Sequence, residues 1–537
     1  MAVFVGGVIA ILLFYGAVLA VGVWAGTKQK NHGQEEVMLA GRSLGMFVGV
    51  LTLIATWVGG GFINGTAEAM FTNGLSWCQM PFGYSLSLLF GVLLFVKKMR
   101  AANYITMLDP FQNMYGARTG SLLFFPALMA DVFWVGAILN ALGSSLMVIL
   151  GLNITISVIV SAVFAGAYTM AGGLYSVSYT DVIQLFLIVI GLVLAVPFAY
   201  HDPSVSQSAM AAHDWLGHVE PRGAGLWVDN FLLLVFGGIP WQAYVQRILS
   251  IRSTHIAQVM SFGAVIGCFC MAIPAAIAGI IGRGADWPNV PGFERNVTDA
   301  EASIILPLVM RYLTPNWVAC LGLGAISAAA MSSADACILS SSSMFSRNIY
   351  KVAVRTGASD LEVLWVMRCA IVAVTTLATV IALTVESIYY LSFLCSDLVY
   401  VILFPQLLLV VHWSQGVNSY GCLSSYAVGL VLRLLCGEPG LGIPVTIELP
   451  LYDADTKEQL FPFRTLCMLC TMVTHAAVSR LAREAFTRGW LPRSWDVLGA
   501  FSRAGEAELA ASGEEKPVKM GLHNPVFVED SCKNTHL

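Results

Sequence analysis

The chain has 537 residues, 57% of them hydrophobic and only 11% charged, with a mean hydropathy of +0.75. Soluble domains carry roughly 25% charged residues, so this is the composition of an all-α integral membrane protein. The formal net charge of −4 argues against a nucleic-acid partner and leaves membrane lipid as the surrounding phase.

A membrane-spanning helix needs about 20 apolar residues. By that measure thirteen spans are predicted, at 3–26, 44–72, 76–96, 120–150, 155–171, 179–200, 226–250, 256–282, 316–345, 362–385, 388–412, 419–436 and 463–485. The first run, Val3 to Trp24, lacks a basic leader and a small-residue cleavage site, so it reads as a retained span and not a signal peptide. The second span is interrupted by Gly59-Gly60-Gly61 just after Trp57. The seventh is interrupted by Gly237-Gly238-Ile239-Pro240 just before Trp241. A lipid-embedded backbone leaves its N–H and C=O groups unpaired only where they line a cavity. Gly/Pro-interrupted spans at matching places in two halves of a chain point to a transporter's binding site. If each broken span opens a five-helix unit, spans 2–6 and 7–11 form two repeats. An odd helix count puts the second repeat in inverted topology.

The basic residues fall on alternate loops: Lys28, Lys30 and Arg42; Lys97, Lys98, Arg100 and Arg118; Arg247 and Arg252; Arg347, Lys351 and Arg355; Arg480, Arg483, Arg488 and Arg493. The positive-inside rule makes that side cytoplasmic. The N-terminus is then extracellular and the C-terminus cytoplasmic. The opposite loops are 201–225, 283–303 and 437–462. One of them carries Asn296-Val297-Thr298, an acceptor for N-glycosylation. Asn153-Ile154-Thr155 lies close to the membrane, and Asn64-Gly65-Thr66 falls within the broken span. The 12 cysteines lie mostly inside apolar runs and read as small core residues without disulfides. The polar tail beyond about 500 is expected to be disordered. The resulting division is a first span and loop (1–43), a five-helix unit (44–200), an extracellular loop (201–225), a second unit (226–412), two C-terminal spans (413–490) and a cytoplasmic tail (491–537). No nucleophile, phosphate-binding or zinc-ligating pattern appears, which argues against an enzyme.

Six segments carry a resemblance: ATWVGGGFINGTAEA (55–69), TMLDPFQNMYG (106–116), GGLYSVSYTDVIQLF (172–186), FGGIPWQAYVQR (236–247), SAAAMSSADACILSSSSMFSRNIY (327–350) and FLCSDLVYVILFPQLL (393–408). The chain resembles the sodium:solute symporter family, and within it the branch that carries choline, along about residues 5–490. The resemblance implies a leucine-transporter-like fold. It also implies sodium-coupled choline import, chloride dependence and a plasma-membrane location that extends to presynaptic terminals and vesicles. A homo-oligomer is compatible with it.

The resemblance implies a substrate cage of Trp57, Tyr84, Trp134 and Trp241. Choline's trimethylammonium head carries charge but no N–H donor. Aromatic faces select it, at about 0.5–2 kcal/mol per well-placed ring. A single membrane tryptophan is ordinarily an interfacial belt or core residue; two of them at two helix breaks are more specific. The family pattern also implies sodium ligands in the carbonyls of Ala55, Val58 and Ala329 and the hydroxyls of Ser332 and Ser333. The competing reading of the serine pair is small-residue helix packing. A carboxylate within a span is costly and faces a cavity or a partner. Asp335 is therefore expected to bind a cation or tune sodium affinity, the alternative being a structural pair with a basic group. The chain reads Asp335-Ala336-Cys337 where the choline branch has two further serines, which bears on a second sodium site. Phe62 stands where that branch has a tyrosine.

The acids Glu68, Asp131, Asp181, Asp229, Glu386 and Asp397 also fall in or beside spans, where capping or solvated roles at span ends are expected for several. Glu438 reads as a structural partner of Arg433. Two other functions fit the same residues: a symporter of another quaternary or methylated amine, and a choline-binding, sodium-gated sensor.

Overall fold

The computed structural model describes residues 4–26, 34–171, 173–206 and 215–501. Lys28, Lys30 and the tail from 502 onward, on which sequence expectations rested, lie outside them. Among the described residues ten helices are long and apolar enough to cross a membrane, and the bent pair Met46–Trp57 and Gly60–Thr72 makes an eleventh candidate. Two shorter apolar helices, Ile154–Met170 and Ser419–Leu435, coincide with the predicted fifth and twelfth spans. In chain order we label α1 (Val5–Gly26), α2 (Met46–Trp57), α3 (Gly60–Thr72), α4 (Met80–Gly91), α5 (Phe124–Leu150), α6 (Ile154–Ala171), α7 (Leu174–Tyr200) and α8 (Ala224–Gly237). There follow α9 (Gln242–Ser250), α10 (Thr254–Gly284), α11 (Asn316–Met344), α12 (Asp360–Thr384), α13 (Ile388–Leu398), α14 (Phe404–His412), α15 (Ser419–Leu435) and α16 (Phe463–Thr487). The described β-structure is a two-residue hairpin, Tyr452–Asp453 against Glu458–Gln459, in the loop before α16.

Both predicted breaks are present. The axes of α2 and α3 diverge by 48°, and the chain between them passes through Val58 and an extended Gly59. Close approach explains the glycines. A Cβ on Gly59 would overlap the Ser333 side chain, and one on Gly60 would lie 2.5 Å from the Ala330 Cβ. The second break runs from Gly238 to Trp241, whose backbone is extended. There a Cβ on Gly237 would lie 2.5 Å from the Ser396 carbonyl oxygen. α11 sits at the centre, and 78% of its most apolar stretch is buried. It packs along α5 and α7 and touches both breaks. A long helix this buried is held by small side chains, which let backbones approach; Ser327 to Ala330, Ser332, Ser333 and Ser340 to Ser343 supply them.

Buried acids tie the bundle together. Glu68 at the far end of α3 accepts from the backbone N–H groups of Ile388 and Tyr389, 3.0 Å each, and from the Ser387 hydroxyl. Asp229 on α8 accepts from the backbone N–H of Arg464 and Thr465. Each thereby satisfies donors at a helix start that the helix itself cannot pair. Arg433 pairs with Glu438 as expected, and also with Asp397. Arg464 completes the cluster, 3.2 Å from Glu438 and 3.7 Å from Asp397. At the opposite end of the bundle Arg42 and Arg100 both donate to the Leu249 carbonyl. Basic residues from two predicted cytoplasmic segments therefore converge on the backbone of a third.

Candidate functional site

The two breaks put their tryptophans in contact. The Trp57 and Trp241 ring centroids are 4.7 Å apart, nearly perpendicular. Tyr84 on α4 lies 5.2 Å from Trp57, and Trp134 on α5 lies 5.8 Å from Tyr84 and 6.5 Å from Trp241. The four residues expected from the sequence thus form one closed ring of aromatic contacts. They line a small cavity of about 20 Å³ with Gly237, Gly238 and Ser396. That is room for about one water and too little for a trimethylammonium group. The rings pack against each other edge to face or tilted, so a ligand enters only if they part. The movable pieces are the two helix breaks.

Hydrogen bonds set the ring orientations. The Trp241 indole N–H donates to Asp131 Oδ1 at 3.0 Å. The Tyr84 hydroxyl donates to the Ser392 carbonyl at 3.0 Å. Asp131 is 1% exposed, and its second carboxylate oxygen has no hydrogen-bond partner. Among the acids in or beside spans, Asp131 is thus one without a span-end role; it lies inside α5 beside the cage.

The sodium candidates converge on the other face of the same break. Ser333 Oγ lies 3.3 Å from the Ala55 carbonyl oxygen and 3.2 Å from that of Thr56. Ser332 Oγ lies 3.4 Å from the Ala55 oxygen and 2.5 Å from Asp181 Oδ1. Val58 has left helical geometry, at φ −83° and ψ 63°, which turns its carbonyl out of the α2 ladder. The Ala329 carbonyl faces the Gly59 position. Carbonyls, hydroxyls and one carboxylate make an all-oxygen donor set, which suits a hard cation.

Asp181 is the residue that sequence reasoning misplaced. The predicted span opens at 179, which puts this acid at its end. The helix instead starts at Leu174, so Asp181 lies two turns inside and is fully buried. It accepts from Thr52 and Ser332 and pairs with Arg247 at 3.3 Å. The available signal was the rule that an acid inside a span has a partner; Arg247, 66 residues on, was that partner. Asp335 does not join Ser332. Its Oδ1 accepts from Thr169 at 2.9 Å, its Oδ2 has no hydrogen-bond partner, and no basic residue pairs with it among the described residues. The structural ion-pair alternative is thus not what holds it. Asn296 is exposed, while its neighbour Thr298 caps the turn that follows.

Fold and site together define a membrane transporter built on two broken helices, with four packed aromatic rings and a cluster of carbonyl, hydroxyl and carboxylate oxygens meeting at one break. The sodium:solute symporter family model matches residues 37–429. The chain is 52% identical to the high-affinity choline transporter 1 of Drosophila melanogaster, covering 96% of this chain and 86% of that protein. It is 49% identical to the high affinity choline transporter 1 of Homo sapiens, over 93% and 89% of the two chains. The structure resembles that of a Na+-coupled sialic acid symporter in a substrate-bound outward-open state, with a TM-score of 0.70 at 16% identity, covering 89% of this chain and 98% of that one. At that identity the likeness speaks for the fold, which is leucine-transporter-like. The chain belongs to the sodium:solute symporter family, and it is a transporter and not an enzyme.

Proposed function

We propose that this chain imports choline across the plasma membrane by sodium-coupled alternating access. The observation that carries the proposal is the double use of residues 55–58. Trp57 turns its ring into the cage, while the carbonyls of Ala55 and Thr56, the two residues just before it, meet the Ser333 hydroxyl. A cation bound by the Ala55, Val58 and Ala329 carbonyls with Ser332 and Ser333 fixes the backbone that aims Trp57. Sodium thereby prepares the cage.

Choline then parts the four rings and takes their faces. Each well-placed ring contributes about 0.5–2 kcal/mol, and Asp131 supplies the balancing charge. In this reading α2–α3 and α8–α9 close together over the substrate and open on the cytoplasmic side. Residues 44–200 and 226–412 form the two inverted units, with the N-terminus outside. Each net positive charge moving inward gains about 2.3 kcal/mol per 100 mV. Choline uptake is thus already favoured by the potential, and sodium adds its gradient. Chloride, carried over from the family resemblance, offsets part of that charge. Asp335, with one carboxylate oxygen free of hydrogen bonds beside α6, tunes cation affinity from behind the serine pair.

The test is labelled choline uptake into cells expressing this chain, in sodium and in lithium, alongside Trp241→Ala. Uptake that needs sodium and is lost in the variant is expected. Normal surface expression without choline uptake overturns the substrate assignment; competition by betaine and carnitine then separates a related amine carrier from a non-transporting sensor.

A further inference from the structure

A second cavity, about 650 Å³ in volume, lies on the outer side of α4, between α4, α8 and α10. Its size is within the range of small-molecule sites. Its rim is open and apolar: Phe82, Ile266 and Phe269 are 39%, 67% and 42% exposed. Phe82 and Phe269 meet at 5.4 Å, and Trp227 and Phe231 stack with planes 7° apart. The walls are thus flat aromatic and aliphatic surfaces. None of the lining residues is charged.

Two buried polar atoms in this lining have no partner. The Gln79 side-chain amide donates through Nε2 to the Trp227 carbonyl at 2.9 Å, which fixes the orientation of the amide and leaves Oε1 unpaired. Ser85 Oγ is also unpaired. Both residues are more than nine-tenths buried, at 3% and 5% exposure. A buried acceptor without a donor costs roughly 1–3 kcal/mol, so a ligand with a hydroxyl donor has something to satisfy. Gln79 immediately precedes α4, and Ser85 lies six residues further on, about 9 Å along the helix axis.

We infer that this groove is a binding site for a sterol-class membrane lipid, with its hydroxyl donating to Gln79 Oε1 and its rigid ring system lying along Phe82 and Phe269. The chemistry selects this class. The polar end of phosphatidylcholine offers acceptors only, and its phosphate needs a cation that the lining lacks. A rigid ring system loses little conformational entropy on binding. The groove also backs onto the aromatic cage. α4 shows Phe82 and Ser85 to the groove and Tyr84 to the cage, and Gly83 lies against Leu234 of α8. A lipid wedged between α4 and α8 therefore braces the helices that the cage must move.

The test is labelling of the full-length chain in membranes with a photoactivatable sterol, followed by peptide mapping. It reads binding directly, so it stands or falls independently of the choline assignment. Labelling is expected on peptides covering 75–86 and 262–269, competed by unlabelled sterol and not by phosphatidylcholine. Ile266→Trp, which fills the groove from its exposed rim, should lower it at least fivefold. Leu13→Trp on lipid-facing α1 should leave it unchanged. Ser85→Leu provides a second, independent block. Labelling spread evenly around the bundle and insensitive to both groove variants means annular lipid only and overturns the inference. So does equal competition by phosphatidylcholine, which would assign the groove to an acyl chain.

Discussion

Gly59→Ala is the sharpest probe of the cation site. The added methyl group would overlap the Ser333 side chain and come within 3.6 Å of the Ala329 carbonyl oxygen. Ser333 cannot simply swing away, because its backbone belongs to the buried α11, and Gly60 already sits against Ala330. The break must therefore move off α11, or Ser333 must give up Ala55 and Thr56. Overpacking of this kind costs about 1–3 kcal/mol. If half of that falls on the sodium-bound form, the sodium concentration for half-maximal uptake rises roughly 2- to 12-fold, since 1.4 kcal/mol is a factor of ten. The aromatic cage is not touched directly, so choline affinity at saturating sodium should change less than threefold. The assay is initial-rate uptake over a sodium titration, at matched surface expression. Gly324→Ala, on α11 with open space around it, is the control and should behave as the parent. A Gly59→Ala protein with unaltered sodium dependence would refute the placement of a cation between this break and the serine pair.

Three further outcomes follow from the same geometry. Asp131→Asn keeps an acceptor for the Trp241 indole but removes the charge, so the choline KM should rise about tenfold, ~1.4 kcal/mol, with sodium dependence retained; uptake kinetics check this. Glu68→Gln weakens the cap on α13, and such losses cost about 0.5–2 kcal/mol; the purified variant should melt several degrees lower in a detergent thermal-shift assay. Glu301 is held below the usual carboxylate value of 4.5, first by its bond to Arg295 and then by Thr298. A depressed acid stabilises above its unfolded pKa, and that contribution is lost as pH falls through the lower folded value. Hydrogen exchange across 295–304 should thus be flat from pH 7 to 5 after correction for intrinsic rate and should rise only below about 4.5.

Much of the site was legible because its constraints are local. Glycine runs inside apolar spans have few explanations in lipid, and both breaks lie where the sequence puts them. The cage needed more: nothing in the local sequence says that Tyr84 and Trp134 reach Trp57 and Trp241. Only the resemblance to a family supplied that, and the ring contacts then agreed with it. What stayed illegible was non-local and polar. Asp181 and Arg247 lie on separate helices, and a predicted span boundary five residues late turned a buried, paired acid into a span-end residue. The role of Glu68 was hidden in the same way, since the helix start it caps is more than 300 residues away. Apolar periodicity reports which residues face lipid; it carries no information on which buried acid meets which donor.

The two breaks are not equivalent, and this bears on how coupling arises. Residues 55–58 belong to both proposed sites, whereas Trp241 meets the aromatic rings and Asp131. Coupling between two ligands is reciprocal: sodium raises choline affinity by the same factor as choline raises sodium affinity. If that factor runs through the α2 break, removing the Ser333 hydroxyl should shrink it. Truncating Trp241 to Phe should weaken choline binding at every sodium concentration and leave the factor nearly intact. Choline binding measured at several sodium concentrations, on purified protein and for both variants, separates the two effects. Equal loss of coupling in both would mean that the cation senses the cage as a whole, through the packing of α11 against both breaks, and that residues 55–58 have no privileged role.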